Sequence, residues 1–386
     1  MINVQAVIVH KLENYTFLSV YSCRFIQYHC NQTVDNLDSV IQQLSQGKDL
    51  SYADAESSAK LLGQETISVD DKISFLKALA IKGETAEEVS AFASIFRGLA
   101  IDPNLNDIAE NGIDVCGTGG DGFGTFNIST TVSFLVAASG IPVLKHGNRS
   151  ITSKCGSADL MEALGIHLAV DLEVHRKALE ALNFTFFFAP AFHPVFKTIM
   201  PARKALASEG QKTIFNLLGP MINPAKPKYQ LMGVFSKEWI DPIAKALHAL
   251  DLKSGMVVHG EPIANSCLDE LSCAGKNFHK GFGALSGLEG TLDLTSTGLE
   301  TCQPNELKGG GVEENITLLL DFAEQRNEKM PVGLRESIYL NAGAAFYCAQ
   351  KASSIADGVL LAKETVESGA LSKWLQDVRT FYKELS

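Results

Sequence analysis

The sequence predicts an α/β protein, a mainly parallel central sheet flanked by helices, with a smaller all-helical lobe ahead of it. Three observations carry that expectation. The chain has 386 residues, more than one ordinary domain, so two lobes are the default. Its early part repeats apolar residues at helical spacing. From Ile113 onward, short apolar runs each feed a glycine-rich or polar turn and then a helix-like stretch, the grammar of strands alternating with helices.

Residues 1–34 mix polar and aromatic side chains without periodicity. They lack the basic start, apolar stretch and small-residue cleavage site of a signal peptide, and are taken as an extension with no assigned role. Leu37, Val40, Ile41 and Leu44 then share one helical face, and Gly47 stops it. Ser51 can cap a second helix. Thr85 with Glu88 forms a capping box ahead of Val89, Phe92, Ile95 and Phe96. Residues 35–105 are therefore expected to form the helical lobe, joined by a helical segment near 190–220, and 106–386 the larger α/β domain. Strands are expected at 113–116, 141–144, 184–188 and 256–258, with a helix at 131–139. In such a sheet ligands sit beyond the carboxyl ends of the strands, where the informative turns of this chain fall. There is no internal repeat, and the glycines at 309–311 read as a loop.

Composition narrows the function. Hydrophobic residues make up 46% and charged residues 20%, ordinary for a globular protein. With 33 Lys and Arg against 44 Asp and Glu the net charge is −11, so nucleic acid is a poor partner. The eight cysteines have no zinc-ligand spacing and read as reduced thiols, which suits a cytoplasmic protein. The longest apolar run, 131–144, is broken by Ser133, Ser139, Gly140 and Pro142 and falls short of the ~20 apolar residues a membrane helix needs.

Two stretches carry chemistry. Asp114-Val-Cys-Gly-Thr-Gly-Gly-Asp-Gly-Phe-Gly-Thr-Phe-Asn-Ile-Ser-Thr130 runs from a strand through a glycine loop into a helix start. Glycines let backbone N–H groups turn toward an anion, and Asn127, Ser129 and Thr130 place polar groups where the helix dipole also favours phosphate. No Gly-Lys-Ser/Thr follows, and the Gly117-x-Gly119 spacing is not that of a dinucleotide fingerprint. The second stretch, Lys145-His-Gly-Asn-Arg-Ser-Ile-Thr-Ser153 with Ser157 beyond it, gathers two cations and several hydroxyls at a strand exit, suiting a multiply charged phosphate ester.

In this order and spacing, Gly-Thr-Gly-Gly-Asp, Asn-Ile-Ser-Thr and Lys-His-Gly-Asn-Arg-Ser resemble the anthranilate phosphoribosyltransferase family. The likeness continues through Phe188-Ala-Pro-Ala-Phe-His-Pro194, Arg203, Thr213-Ile-Phe-Asn-Leu-Leu-Gly-Pro220, Asn223-Pro-Ala225, Leu268-Asp-Glu-Leu-Ser272 and Asn341-Ala-Gly-Ala-Ala345, covering residues 37–380. The resemblance implies transfer of the phosphoribosyl group of 5-phosphoribosyl 1-diphosphate to anthranilate, the second step from chorismate to tryptophan, by a cytoplasmic homodimer joined through its helical lobe, with two Mg²⁺ per subunit. It makes the larger domain the donor-binding one. Gly117, Gly120, Asp121, Thr125, Asn127, Ile128, Ser129, Thr130, Lys145, His146, Gly147, Asn148, Arg149, Ser150, Ile151, Thr152, Ser153 and Ser157 would hold the donor. Gly117, Asn148 and Arg203 would meet the acceptor, with His146, His193 and Pro220 lining its path. Ser129, Asp269 and Glu270 would bind the metal, and Lys145, Asn148 and Arg203 would be the catalytic residues.

Chemistry supports the carry-over. Adjacent carboxylates at a turn suit a hard cation that keeps water and phosphate among its ligands, and the guanidinium of Arg203 offers a planar fork to a carboxylate. The segment between Arg203 and Thr213 is longer than the family pattern, and Lys212 stands where arginine is common. A pyrimidine nucleoside phosphorylase would share the architecture but has no evident use for Asp269-Glu270. A nucleic-acid-binding relative would need a basic surface and eroded motifs.

Overall fold

The computed structural model describes residues 36–149 and 154–385. The expectations for residues 1–34 and for Ser150, Ile151, Thr152 and Ser153 therefore lie outside the described residues.

The described residues begin with α1 (Asp38–Ser45), α2 (Tyr52–Leu62), α3 (Val69–Lys82) and α4 (Ala86–Gly98). Local chemistry starts three of them: Ser51, Ser68 and Thr85 each accept the backbone N–H three residues on, and Glu88 closes the capping box by accepting from Thr85 N–H at 2.8 Å. The short α5 (Asn106–Ala109) leads into β1 (Ile113–Gly117). Next come α6 (Ile128–Ala138), β2 (Val143–Gly147), α7 (Ser157–Ala163), α8 (Leu172–Leu182) and β3 (Phe184–Phe188). Then α9 (Ala189–Phe192), α10 (Phe196–Ser208) and α11 (Phe215–Leu218) bring the chain back to β4 (Tyr229–Gly233). After α12 (Ile240–Ala249) follow β5 (Ser254–Glu261), β6 (Lys276–Gly283) and β7 (Glu289–Thr291), and the helices α13 (Val312–Ala323), α14 (Val332–Cys348), α15 (Ile355–Glu367) and α16 (Ala370–Glu384) finish the chain.

The seven strands lie in the order β3-β2-β1-β4-β5-β6-β7. The first five in that order are parallel, and β6 and β7 are antiparallel additions at one edge. The chain moves outward from β1 to β3 and returns to pair β4 with β1. That reversal is the topological switch point, where a crevice opens beyond the strand ends. The four strands expected from sequence are present. The central β4 was not expected, because Tyr-Gln-Leu-Met-Gly is short and carries a polar Gln230, which is nevertheless buried.

One sheet face packs on α6, α14, α15 and α16, with Phe134, Phe184 and Trp374 forming a ring cluster at 5.2 to 5.6 Å. The opposite side shares its core with the N-terminal helices: Met232, Val234 and Val257 belong to the same apolar cluster as Phe75, Phe92 and Phe96. Helix α10, distant in sequence, also packs on α3, where the buried Lys72 ammonium donates to the carbonyl of Thr198 at 3.1 Å. This shared core brings α10, and Arg203 with it, close to the strand ends.

Candidate active site

The site starts from two glycines. Gly117 ends β1, Gly233 ends β4, and they are register partners across the switch point. The turn bearing Asp269 and Glu270 comes down on both: a Cβ at Gly233 would lie 1.5 Å from the Asp269 carbonyl oxygen, and one at Gly117 would lie 2.2 Å from Asp269 Oδ2. Any side chain at either position would expel the acidic turn. Beyond Gly117 the loop turns back on itself with Gly119, Gly120, Gly122 and Gly124 at φ between 68° and 75°, a region costly for other residues. The Gly119 N–H then donates to Asp269 Oδ2 at 2.7 Å, and the Ser129 N–H at the start of α6 donates to Glu270 Oε1 at 3.2 Å. Thus the glycine loop, the helix start and the acidic turn, separate in sequence, converge in space.

Burial dominates its electrostatics. The Asp269 carboxyl is pushed up to about 7, first by desolvation and then by the neighbouring Asp121 carboxylate. Glu270 is raised well above the usual carboxylate range by desolvation and by Asp269. Three acidic side chains so placed would be relieved by a divalent cation. Among the described residues, however, no group of three His, Cys, Asp or Glu closes a metal cage by itself. That fits a hard cation such as Mg²⁺, which takes its remaining ligands from water and phosphate oxygens. Asp121, expected on the donor side, thus acts electrostatically on Asp269, one of the residues expected to bind the metal.

Lys145 is where the structure departs from expectation. Its side chain is 1% exposed, and its ammonium donates to the Val115 carbonyl at 2.6 Å, beneath the loop. Desolvation lowers its proton affinity, and Asp114, Cys116 and Glu270 raise it again. Lys145 therefore compensates buried acids from below, and in this arrangement does not face a diphosphate directly. Asp114 is the other half of that floor, its carboxyl pushed up to about 6 by burial and accepting from Asn223 Nδ2 at 2.9 Å.

The other described residues expected to hold the donor lie along the glycine loop, the start of α6 and the exit of β2. Asn127 N–H donates to Asn315 Oδ1 at 2.9 Å, Thr125 bridges to Lys308, and Thr130 Oγ1 is buried without a hydrogen-bond partner among the described residues. Gly120 takes a positive φ, Ile128 opens α6, and Gly147 ends β2. Asn148 Oδ1 accepts from Arg149 N–H at 2.7 Å, and its carbonyl accepts from Ala158 N–H at 3.3 Å, next to Ser157 at the head of α7. Arg149 pairs with Glu162 and Asp159, so as placed its guanidinium is turned to them rather than to the crevice.

Of the residues expected to meet the acceptor, His146, His193 and Arg203 are joined through Phe196 and Phe215 into one wall, whereas Gly117 and Asn148 are not part of it. The ring of His146 lies 5.1 Å from that of His193, which stacks on Phe196 at 5.3 Å. Phe196 meets Phe215 at 5.6 Å, and the Arg203 guanidinium sits over Phe215 at 5.1 Å. Burial lowers His146 to about 3 and His193 to about 4, so both rings are neutral at physiological pH. The Gly219 carbonyl lies 3.1 Å from His146 Nδ1, and the next carbonyl, of Pro220, accepts from Gln230 Nε2 at 2.7 Å. Arg203 is partly buried, and among the described residues no carboxylate lies within ion-pair distance of it. A planar aromatic carboxylate would meet both needs of this wall, rings for its face and a fork for its charge.

Sequence reading missed the supports. Asn341 of α14 accepts from Leu271 N–H at 3.0 Å and donates to the Leu271 carbonyl at 2.7 Å, locking the acidic turn from behind. Asn315 donates to the carbonyls of Gly310 and Gly311, so the 308–311 loop braces the glycine loop. Only the glycine run before α13 hinted at this.

Residues 109–371 match the model of a glycosyl transferase family, a/b domain, and residues 38–100 match that family's helical bundle domain. Anthranilate phosphoribosyltransferase of Petrotoga mobilis is 38% identical over 351 residues, covering 90% of this chain and 97% of its own length. That of Persephonella marina is 36% identical, covering 89% and 98%. The crystal structure of anthranilate phosphoribosyltransferase from Thermus thermophilus superposes with a TM-score of 0.78 at 36% identity, over 89% of this chain and 99% of its own. The Saccharomyces cerevisiae enzyme in complex with PRPP and Mg gives 0.75 at 25% identity, over 90% and 98%.

Proposed function

Because the chain belongs to the anthranilate phosphoribosyltransferase family, we propose that it transfers the phosphoribosyl group of 5-phosphoribosyl 1-diphosphate to the amine of anthranilate, releasing diphosphate in tryptophan biosynthesis. The observation that carries this reading is the seating of Asp269 on Gly117 and Gly233, which places an acidic turn at the mouth of a glycine loop beside a neutral aromatic wall.

In the reaction the amine nitrogen forms a bond to ribose C1 as the C1–O bond to diphosphate breaks. The electron pair leaves with diphosphate, and the nitrogen loses a proton. Mg²⁺, two per subunit in this proposal, would neutralise the diphosphate, held by Asp269, Glu270, Asp121 and Ser129. The backbone N–H groups of the 117–124 loop and the start of α6 orient the phosphates. Lys145 is a positioning residue that keeps Glu270 and Asp114 in place from below. Arg203 pairs with the anthranilate carboxylate, and His146, His193 and Phe215 confine its ring so that the amine faces C1. Neither histidine is protonated at pH 7 and neither is needed as a strong base, because an aniline nitrogen is already neutral and its proton becomes acidic as the bond forms. The lobe of 35–105 with α10 would close over the larger domain and exclude water. A cytoplasmic homodimer joined through the helical lobe belongs to the same proposal. Its support is the family resemblance, and light scattering checks it.

The test is loss of anthranilate fluorescence with purified protein. Loss that requires donor and Mg²⁺ together supports the reaction, and anthranilate left unconsumed with all components present would overturn it.

A further inference from the structure

The acidic turn is held in front and behind by different kinds of bond. In front, the Gly119 N–H donates to Asp269 Oδ2 and the Ser129 N–H to Glu270 Oε1. Both donors belong to the loop and helix start proposed to meet the donor phosphates, so a bound diphosphate competes for them. Asp269 and Glu270 also repel each other. The turn therefore needs a support that depends on neither the cation nor the phosphates.

That support lies behind it. Asn341 of α14 accepts from the Leu271 N–H at 3.0 Å and donates to the Leu271 carbonyl at 2.7 Å. Asn277 of β6 does the same for the next residue, accepting from the Ser272 N–H at 2.8 Å and donating to the Ser272 carbonyl at 2.7 Å. The Cys273 N–H then donates to Ser337 Oγ at 2.9 Å, one helical turn before Asn341. Both asparagines are fully buried. A primary amide carries an acceptor and a donor pair in one plane, so it can satisfy both backbone groups of a single residue as a neighbouring strand would. Aspartate would lose the donor, and leucine would lose both bonds. Asn341 Nδ2 also donates to the Ser337 carbonyl at 2.8 Å, which ties the amide back to its own helix. The helix itself is closely supported: α15 lies so near α14 that a Cβ at Gly358 would stand 2.3 Å from the Gly343 carbonyl oxygen.

A backbone pinned at three successive residues leaves the two carboxylates just before it few positions to take. We propose that Asn341 and Asn277 are positioning residues that preset Asp269 and Glu270 for a divalent cation, so that they govern metal affinity rather than the transfer step. The assignment rests on the metal role proposed for the acidic turn and adds to it the groups that hold the turn in shape.

The test is a titration of Mn²⁺ into the protein with 5-phosphoribosyl 1-diphosphate and no acceptor, read against the donor alone by the free-ion signal in electron paramagnetic resonance. Asn341→Leu and Asn277→Leu should each weaken Mn²⁺ binding about tenfold, and Ser337→Ala, which removes the Cys273 contact, about threefold. In turnover, the Mg²⁺ concentration giving half the maximal rate should rise by the same factors, with kcat at saturating Mg²⁺ within about twofold of the unaltered protein. Unchanged Mn²⁺ affinity in the folded variants, whatever their Tm, overturns the proposal, because the asparagines would then hold the fold and nothing more. A fall in kcat that saturating Mg²⁺ does not restore overturns it as well. If the leucine variants fail to fold, Ser337→Ala decides by the same two readouts. Anthranilate left unconsumed by the unaltered protein would instead sink the reaction, and the titration, which contains no acceptor, is independent of that outcome.

Discussion

The two ends of the crevice, proposed to hold donor and acceptor, are built by opposite means. The donor end is made of backbone: four glycines at positive φ, two more that admit the acidic turn, and N–H groups aimed at Asp269 and Glu270. The acceptor end is made of side chains, an aromatic wall drawn from β2, α9, α10 and α11 and closed by one unpaired guanidinium. A backbone site tolerates almost no substitution, because its geometry is set by what glycine allows. A side-chain site can be retuned one residue at a time, and the longer 204–212 segment lies on that side.

The comparison makes the largest demand on the acidic turn. Asp269→Asn with Glu270→Gln should lower metal-dependent turnover by about a thousandfold while circular dichroism stays native. Rates that keep their Mg²⁺ dependence would return the metal role to other groups. Arg203→Ala should cost about a hundredfold in kcat/KM for anthranilate, the loss of a charge-assisted fork, with the donor KM nearly unmoved. Equal effects on both substrates would erase the distinction between the two ends.

Under the donor end, Asp114 offers a subtler measure. Its folded value of about 6 exceeds its ordinary 3.8, so the folded state binds that proton more readily than the unfolded state. Its contribution to stability is full below pH 3.8 and is lost as pH rises through about 6, a change of roughly 3 kcal/mol. Urea unfolding of Asp114→Asn between pH 4 and 7 should show that dependence flattened; an unchanged slope would mean that Lys145 and Asn223 already compensate the charge. The smallest effect belongs to Lys212, whose ammonium lies 3.7 Å from the Phe235 ring centroid. At an exposed site such a contact is worth about 0.5–1 kcal/mol, so Lys212→Ala should raise the acceptor KM only about two- to fivefold. The N–H of Phe235 donates to Thr118 Oγ1, which makes this contact a link between the ends. A donor KM that moved in parallel would show the link transmitting.

Much of the donor end was legible in the chain. Glycine spacing, polar residues at a helix start and paired acids are local signals, and the strands leading to them fall where their apolar runs do. The burial of Lys145 was not legible, because a lysine at a strand exit looks the same whether it turns outward or under the neighbouring loop. The bracing roles of Asn341 and Asn315 were equally silent, although Asn341 heads one of the family-like motifs, since an asparagine in a helix shows nothing of the loop it will hold. The pairing of Arg149 with Glu162 and Asp159, ten or more residues on, was not legible either, because it depends on how α7 packs beside the strand exit.

By itself, then, the sequence determined the alternation of strands and helices, the caps, the glycine loop and the identity of the acidic turn, all of which depend on neighbours within a few residues. Tertiary structure alone decided that β4 would return beside β1, that Asp269 would rest on Gly117 and Gly233, and that Arg203 would lie over Phe215 beside the histidines. The physical reason is that burial and charge compensation are properties of surfaces brought together, and the pairing of distant surfaces is settled by the shared core rather than by any one segment.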